Sequence, residues 1–149
     1  MSELRLLEPA AAATALQASG APARGFLGLD PVVHNDALLA RELGLRGAQV
    51  FEGGSSLLGF APNPAQPRQA QVSSTSSDPA ALRAFLTFLG SYRRCTSYVA
   101  HLPDGAESTA AFEGCGFRRV GTLRAHRFAA GAYRDVHVYY ASEEESCRS

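Results

Sequence analysis

Four histidines and a few well-placed carboxylates are the side chains of this sequence suited to moving a proton near neutral pH. His101 ends an apolar, β-prone run, Thr96 to Leu102, so it stands at a strand end, where it can serve as general base or acid. An exposed or structurally bonded histidine is the plain alternative. Glu52 precedes the pair Gly53-Gly54 and can reach the same region, or simply be solvated beside a turn. His126, His137 and Asp135 fall in the last two apolar runs. Pairing about Gly131 would set His126 opposite Arg134 and Ala125 opposite Asp135, which favours cross-strand contacts over substrate recognition. His34 and Asp36 precede a helix, where substrate contact is conceivable and capping explains Asn35 and Asp36 equally well. Cys95 and Cys115 have no adjacent histidine to lower their pKa, so buried, inert thiols are the simpler reading.

Several function classes drop out. No H-E-x-x-H, G-K-S/T or G-x-S-x-G pattern occurs, and Cys95, Cys115 and Cys147 share no C-x-x-C spacing, so no metal site is expected. The formal net charge is zero, which gives no footprint for nucleic acid or an anionic membrane. The first residues lack the basic start of a signal peptide, and no apolar run approaches the ~18 residues of a membrane span. A reduced, cytoplasmic protein is the expectation.

The positions of these residues depend on the elements that carry them. With 149 residues, one domain is expected, taken as residues 1–142, followed by a disordered acidic tail over residues 143–149. Leu4 to Glu8 reads as a strand. Ala10 to Ala18, opened by Pro9 and closed by Gly20, reads as a helix. A Gly-rich connection, Gly25 to Pro31, leads to a second helix, Ala37 to Leu43, capped by Asn35 or Asp36. Gly47 to Glu52 and Ser56 to Ala61 form a hairpin about Gly53-Gly54. Three prolines mark Pro62 to Pro67 as loop, and Gln69 to Ser74 resumes as strand. Asp78 and Pro79 start a helix whose apolar face is Leu82, Phe85, Leu86 and Leu89. Thr96 to Leu102 as strand, Ala106 to Glu113 as helix, then Phe117 to Phe128 and Ala132 to Ala141 as a terminal hairpin complete the chain.

The order β, α, α, three β, α, β, α, β, β is that of the GNAT superfamily of N-acetyltransferases, and the last third matches in wording. Phe112-Glu113-Gly114-Cys115-Gly116-Phe117, then Val120-Gly121-Thr122-Leu123-Arg124, then His126, Phe128, Gly131, Tyr133 and Asp135-Val136 resemble the GNAT ending. The resemblance implies an α/β chain, α+β by arrangement, with a mixed central sheet of about six to seven strands flanked by about four helices. It also implies an acetyl-CoA pocket between Val72 to Thr75 and Tyr98 to His101, where the fourth and fifth strands splay apart. His101 and Glu52 then become the candidates for proton transfer. Val72, Ser73, Ser74, Thr75, Ser76, Ser77, Ala80, Ala81 and Phe112 become the candidates for cofactor contact.

Departures from the family pattern fall on the phosphate loop. The R/Q-x-x-G-x-G/A motif aligns on Ser77-Asp78-Pro79-Ala80-Ala81-Leu82, without either glycine. Asp78 brings a negative charge to that place and Pro79 removes an N–H. The hydroxyls of Ser73 to Ser77 are a substitute set of donors, or only a capping loop. Gly105 stands where many members have Asn, and Phe112 where many have the Tyr that protonates the leaving thiolate. Two functions follow: an acyl-CoA-dependent N-acyltransferase acting on a small-molecule or protein amine, or a catalytically inactive GNAT-like binding or interaction module. Dimers are common among proteins of this resemblance.

Overall fold

The computed structural model describes residues 4–31, 34–129 and 131–147. The described elements are β1 (Leu4–Leu7), α1 (Pro9–Ser19), 3-10 turns at Ala21–Ala23 and Phe26–Gly28, α2 (Asp36–Leu45), β2 (Gln49–Gly53), β3 (Ser56–Asn63), β4 (Gln66–Ser74), α3 (Pro79–Tyr92), β5 (Ser97–Pro103), α4 (Thr109–Gly114), β6 (Arg118–Ala129), β7 (Ala132–Ser142) and α5 (Glu143–Cys147). The strands form one sheet in the order β1-β2-β3-β4-β5-β7-β6. Neighbours are antiparallel except β4 and β5, whose connection runs through α3. This is the mixed sheet with flanking helices that the GNAT resemblance implied.

Local chemistry explains the helix starts. Asn35 Oδ1 accepts from Leu38 N–H at 2.8 Å at the head of α2, and Asp78 Oδ1 accepts from Ala80 N–H at 2.9 Å at the head of α3. Each face of the sheet then buries its own helices. On one, α3 and α4 bring Leu82, Phe85, Leu86 and Phe112 onto Phe60, Val72 and Tyr98. On the other, α1 and α2 bring Leu16, Leu39 and Leu43 onto Val50 and Leu57. Full burial of such side chains stabilises by about 1.5–3 kcal/mol each.

Several boundaries differ from the sequence reading. Residues 62–67 are not all loop: β3 runs to Asn63 and β4 starts at Gln66. The prolines are tolerated because the ladder is already open there. Its register shifts between Pro62 and Asn63, and β5 does not pair with β4 before Gln69. In the terminal hairpin it is Arg127, not His126, that faces Arg134, because Ala129 pairs directly with Ala132 and fixes the register from the turn; the bulge between Leu123 and Arg127 lies beyond that pair. Ala125 does meet Asp135, donating its N–H to Oδ1 at 2.9 Å. Residues 143–147, expected as disordered tail, form α5 instead. Glu143 N–H bonds Thr96 O at 2.8 Å, its side chain lies against Gly90, and Ser146 is buried.

Candidate active site

Competing neighbours pull β4 and β5 apart. Their ladder covers only Gln69, Gln71 and the residue between them, against Ser97 to Val99. Beyond it, Thr75 stays with β3: its N–H donates to Leu57 O at 3.1 Å and its Oγ1 accepts from Leu57 N–H at 3.0 Å. β5 stays with β7, paired as far as Pro103 and Val136. A gap therefore opens between Ser73-Ser74 and His101.

The segment 21–30 folds over this gap. Leu27 N–H donates to Ser73 Oγ at 2.9 Å, which ties the segment to β4. Gly25 lies against the end of β5 at φ +80°, and a Cβ there would meet Pro103 Cγ at 2.6 Å. No other residue type fits that approach without movement. Arg127 reaches across from β6, Nη1 to Gly28 O at 2.9 Å and Nη2 to Leu29 O at 3.3 Å. Arg46, at the end of α2, donates to Leu27 O at 3.2 Å. Asp30 is flanked by Arg24 at 3.4 Å and Arg127 at 4.0 Å.

His101 forms part of the wall common to two cavities. Ala100 and Leu102 belong to the α3 side of the core, so alternation turns His101 to the opposite face. One cavity, about 20 Å³, is the gap itself, lined by Ser73, Ser74, Phe26 and Ser108 among others. The other, about 410 Å³, is lined by Gly25, Gly28, Arg46, Gln71, Pro103, His126, Arg127 and Val136 besides His101. A third hollow, about 290 Å³, shares Pro103 and Arg127 and adds Arg24, Asp104, Glu107 and Arg134. Burial, and secondarily the charge of His126, holds the His101 pKa below its ordinary value of 6.5. At neutral pH the imidazole is therefore uncharged and keeps a lone pair.

Of the other residues singled out in the sequence, Ser73 and Ser74 line the gap. Val72, Ala81 and Phe112 are core side chains, Phe112 packing edge-on against Phe117 with ring centroids 5.0 Å apart. Thr75 and Ser76 bond within β3 and its turn, to Leu57 and Ser56. Ser77 and Ala80 are exposed at the head of α3. Glu52 pairs with Arg5 on β1 and lines none of these cavities. Three strand spacings separate it from His101, roughly 14 Å. His137 links Asp104, at 2.9 Å, with Thr122, at 3.0 Å, and Asp135 holds the β6 bulge, both structural tasks. His34 gives its carbonyl to Gln17 and lines neither His101 cavity. Cys95 and Cys115 are buried, which raises both thiol pKa values. The sequence reading missed Arg46, Gln71 and Arg127; the only local signal was the Gly-rich stretch that the two arginines hold.

No family model matches the sequence, and no curated protein does. Solved structures do match. The spermidine N-acetyltransferase of Vibrio cholerae, in complex with CoA and spermine, superposes with a TM-score of 0.73 at 15% identity, covering 97% of each chain. A chimera of that enzyme with hSSAT also gives 0.73 at 15% identity, over 99% of each chain. The chain has the GNAT fold. One of these neighbours holds CoA; in this chain the cavity at the β4–β5 gap is about 20 Å³. The head of α3 does not fit the CoA diphosphate. Pro79 has no N–H, Ala80 N–H is taken by Asp78, Asp78 N–H by Ser76 Oγ at 3.3 Å, and Ser76 N–H by Ser74 Oγ at 3.3 Å. The Asp78 carboxylate adds a negative charge where an anion would need donors. Among the described residues, no group of three His, Cys, Asp or Glu is placed to hold a metal ion, and no helix is long and apolar enough to cross a membrane.

Proposed function

We propose that this chain is an N-acyltransferase that moves an acyl group from a CoA-type thioester to an amine held beside His101. The observation that carries the reading is His101 itself, an uncharged imidazole in the wall between the β4–β5 gap and a cavity of about 410 Å³. The thioester supplies the acyl group and a thiolate leaving group. His101 accepts a proton from the incoming ammonium, leaving a nucleophilic amine, and its depressed pKa keeps it in the accepting form at neutral pH. Phe26 of the 21–30 segment is buried and lines the gap, so the segment shields it from water. Glu52 has no part in this chemistry. Support also comes from the neighbours of the same fold, which acetylate polyamines according to their names.

The test is transfer from acetyl-CoA to a panel of amines, followed by mass spectrometry. Turnover that drops about 10²- to 10⁴-fold in His101→Gln, with the fold retained, supports the assignment. No binding of acetyl-CoA up to millimolar concentration sinks it and leaves the binding-module reading.

A further inference from the structure

The cavity beside His101 has a charge pattern unlike that needed for a polycation. Its ionisable lining is Arg46, Arg127, His101 and His126, with no Asp or Glu. The two guanidiniums come from α2 and β6, yet they bond the carbonyls of Leu27, Gly28 and Leu29 in turn, so they flank one short segment. Each is ion-paired with one carboxylate at the outer limit of ion-pair distance, beyond hydrogen-bond range. The nearest carboxylates are Glu42, 3.9 Å from Arg46, and Asp30, 4.0 Å from Arg127. Charge-assisted hydrogen bonds are about 1 Å shorter. Arg46 donates one of these carbonyl bonds and Arg127 two, which leaves donors on each planar fork for a further acceptor. Gln71 supplies an amide, and the volume suits a ligand of amino-acid size.

Resting on the acyltransferase reading, we propose that the acceptor is an amine that also carries a carboxylate, such as an α-amino acid. Arg46 and Arg127 hold the carboxylate while the amine meets His101. A polyamine would bring ammonium groups against two guanidiniums, a like-charge contact in a partly enclosed space.

The test is calorimetric binding to the whole chain of three probe classes: α-amino acids, their decarboxylated amines, and spermidine. Amino acids are expected to bind at least tenfold tighter than the matched amines, with affinity that weakens between 50 and 500 mM NaCl. Arg46→Gln lowers amino-acid affinity about 10- to 100-fold and changes that of the decarboxylated amine less than twofold. The salt titration uses the unaltered protein, so it decides the matter even if the variant folds poorly. Equal or tighter binding of spermidine or of the decarboxylated amine, or no binding of any probe, overturns the inference. Acetyl-CoA titrated separately tells the two readings apart. Acetyl-CoA binding without amino-acid binding removes this inference alone. The reverse result removes the acyltransferase reading and leaves a carboxylate site.

Discussion

Replacing Asp78 with Asn isolates the charge that opposes a CoA diphosphate at the head of α3. The Asp78 side chain accepts from Ala80 N–H at 2.9 Å, and Asn caps a helix about as well as Asp, so stability should change by less than about 0.5 kcal/mol. A phosphate charge about 4 Å from this exposed carboxylate costs ~1 kcal/mol in a water-like dielectric. Two phosphate charges at that range and somewhat beyond give 1–2 kcal/mol, so Asp78→Asn should tighten CoA binding by roughly 5- to 30-fold. Titration calorimetry with CoA checks this, and pantetheine, which lacks the diphosphate, serves as control. Tighter CoA with unchanged pantetheine is the expected pair of results, and the gain should shrink in 0.5 M NaCl. CoA affinity that stays put, or both ligands shifting together, refutes the placing of the diphosphate against Asp78.

Gly25→Ala forces a Cβ onto Pro103 at φ +80° and should cost about 2 kcal/mol, read as a Tm lower by roughly 4–8 °C. Phe85→Ala empties a fully buried position between Phe51 and Phe60 and should lower the urea-derived stability by about 3–5 kcal/mol. The folded-state pKa of His101 lies below its ordinary 6.5, so in the window beneath 6.5 the unfolded chain binds the extra proton. Its stability contribution is then complete above about 6.5 and lost as pH falls through the folded pKa, a slope that His101→Gln should flatten in pH-dependent unfolding. The acid limb of kcat/KM should fall in the same range and vanish with that variant. Cys95 and Cys115, buried with raised pKa values, should resist alkylation in the native protein and react in denaturant, as mass mapping will report. Rapid native labelling of either would contradict their burial.

The sequence alone determined what local chemistry controls. Asn35 and Asp78 cap the helices they were expected to cap, because a capping side chain bonds an amide two or three residues away. The period of Leu82, Phe85, Leu86 and Leu89 marked the face of α3 that meets the sheet, because a helix brings residues three and four apart to one side. The order of strands and helices along the chain followed from their local signals and the mixed sheet from the GNAT resemblance, and His101 was legible as lying near the end of its strand. The tertiary structure decided the rest. That Glu52 belongs to Arg5 and not to the cleft depends on how far apart β2 and β5 lie in the sheet. The register that brings Arg127 opposite Arg134 is set beside the turn, where Ala129 pairs with Ala132, and the bulge beyond it is held by Ala125 N–H on Asp135. Arg46 and Arg127 meet over Leu27 to Leu29 only because α2 and β6 pack against the same loop. Convergence of distant residues on one cavity is a product of packing, and no pattern within either segment encodes it.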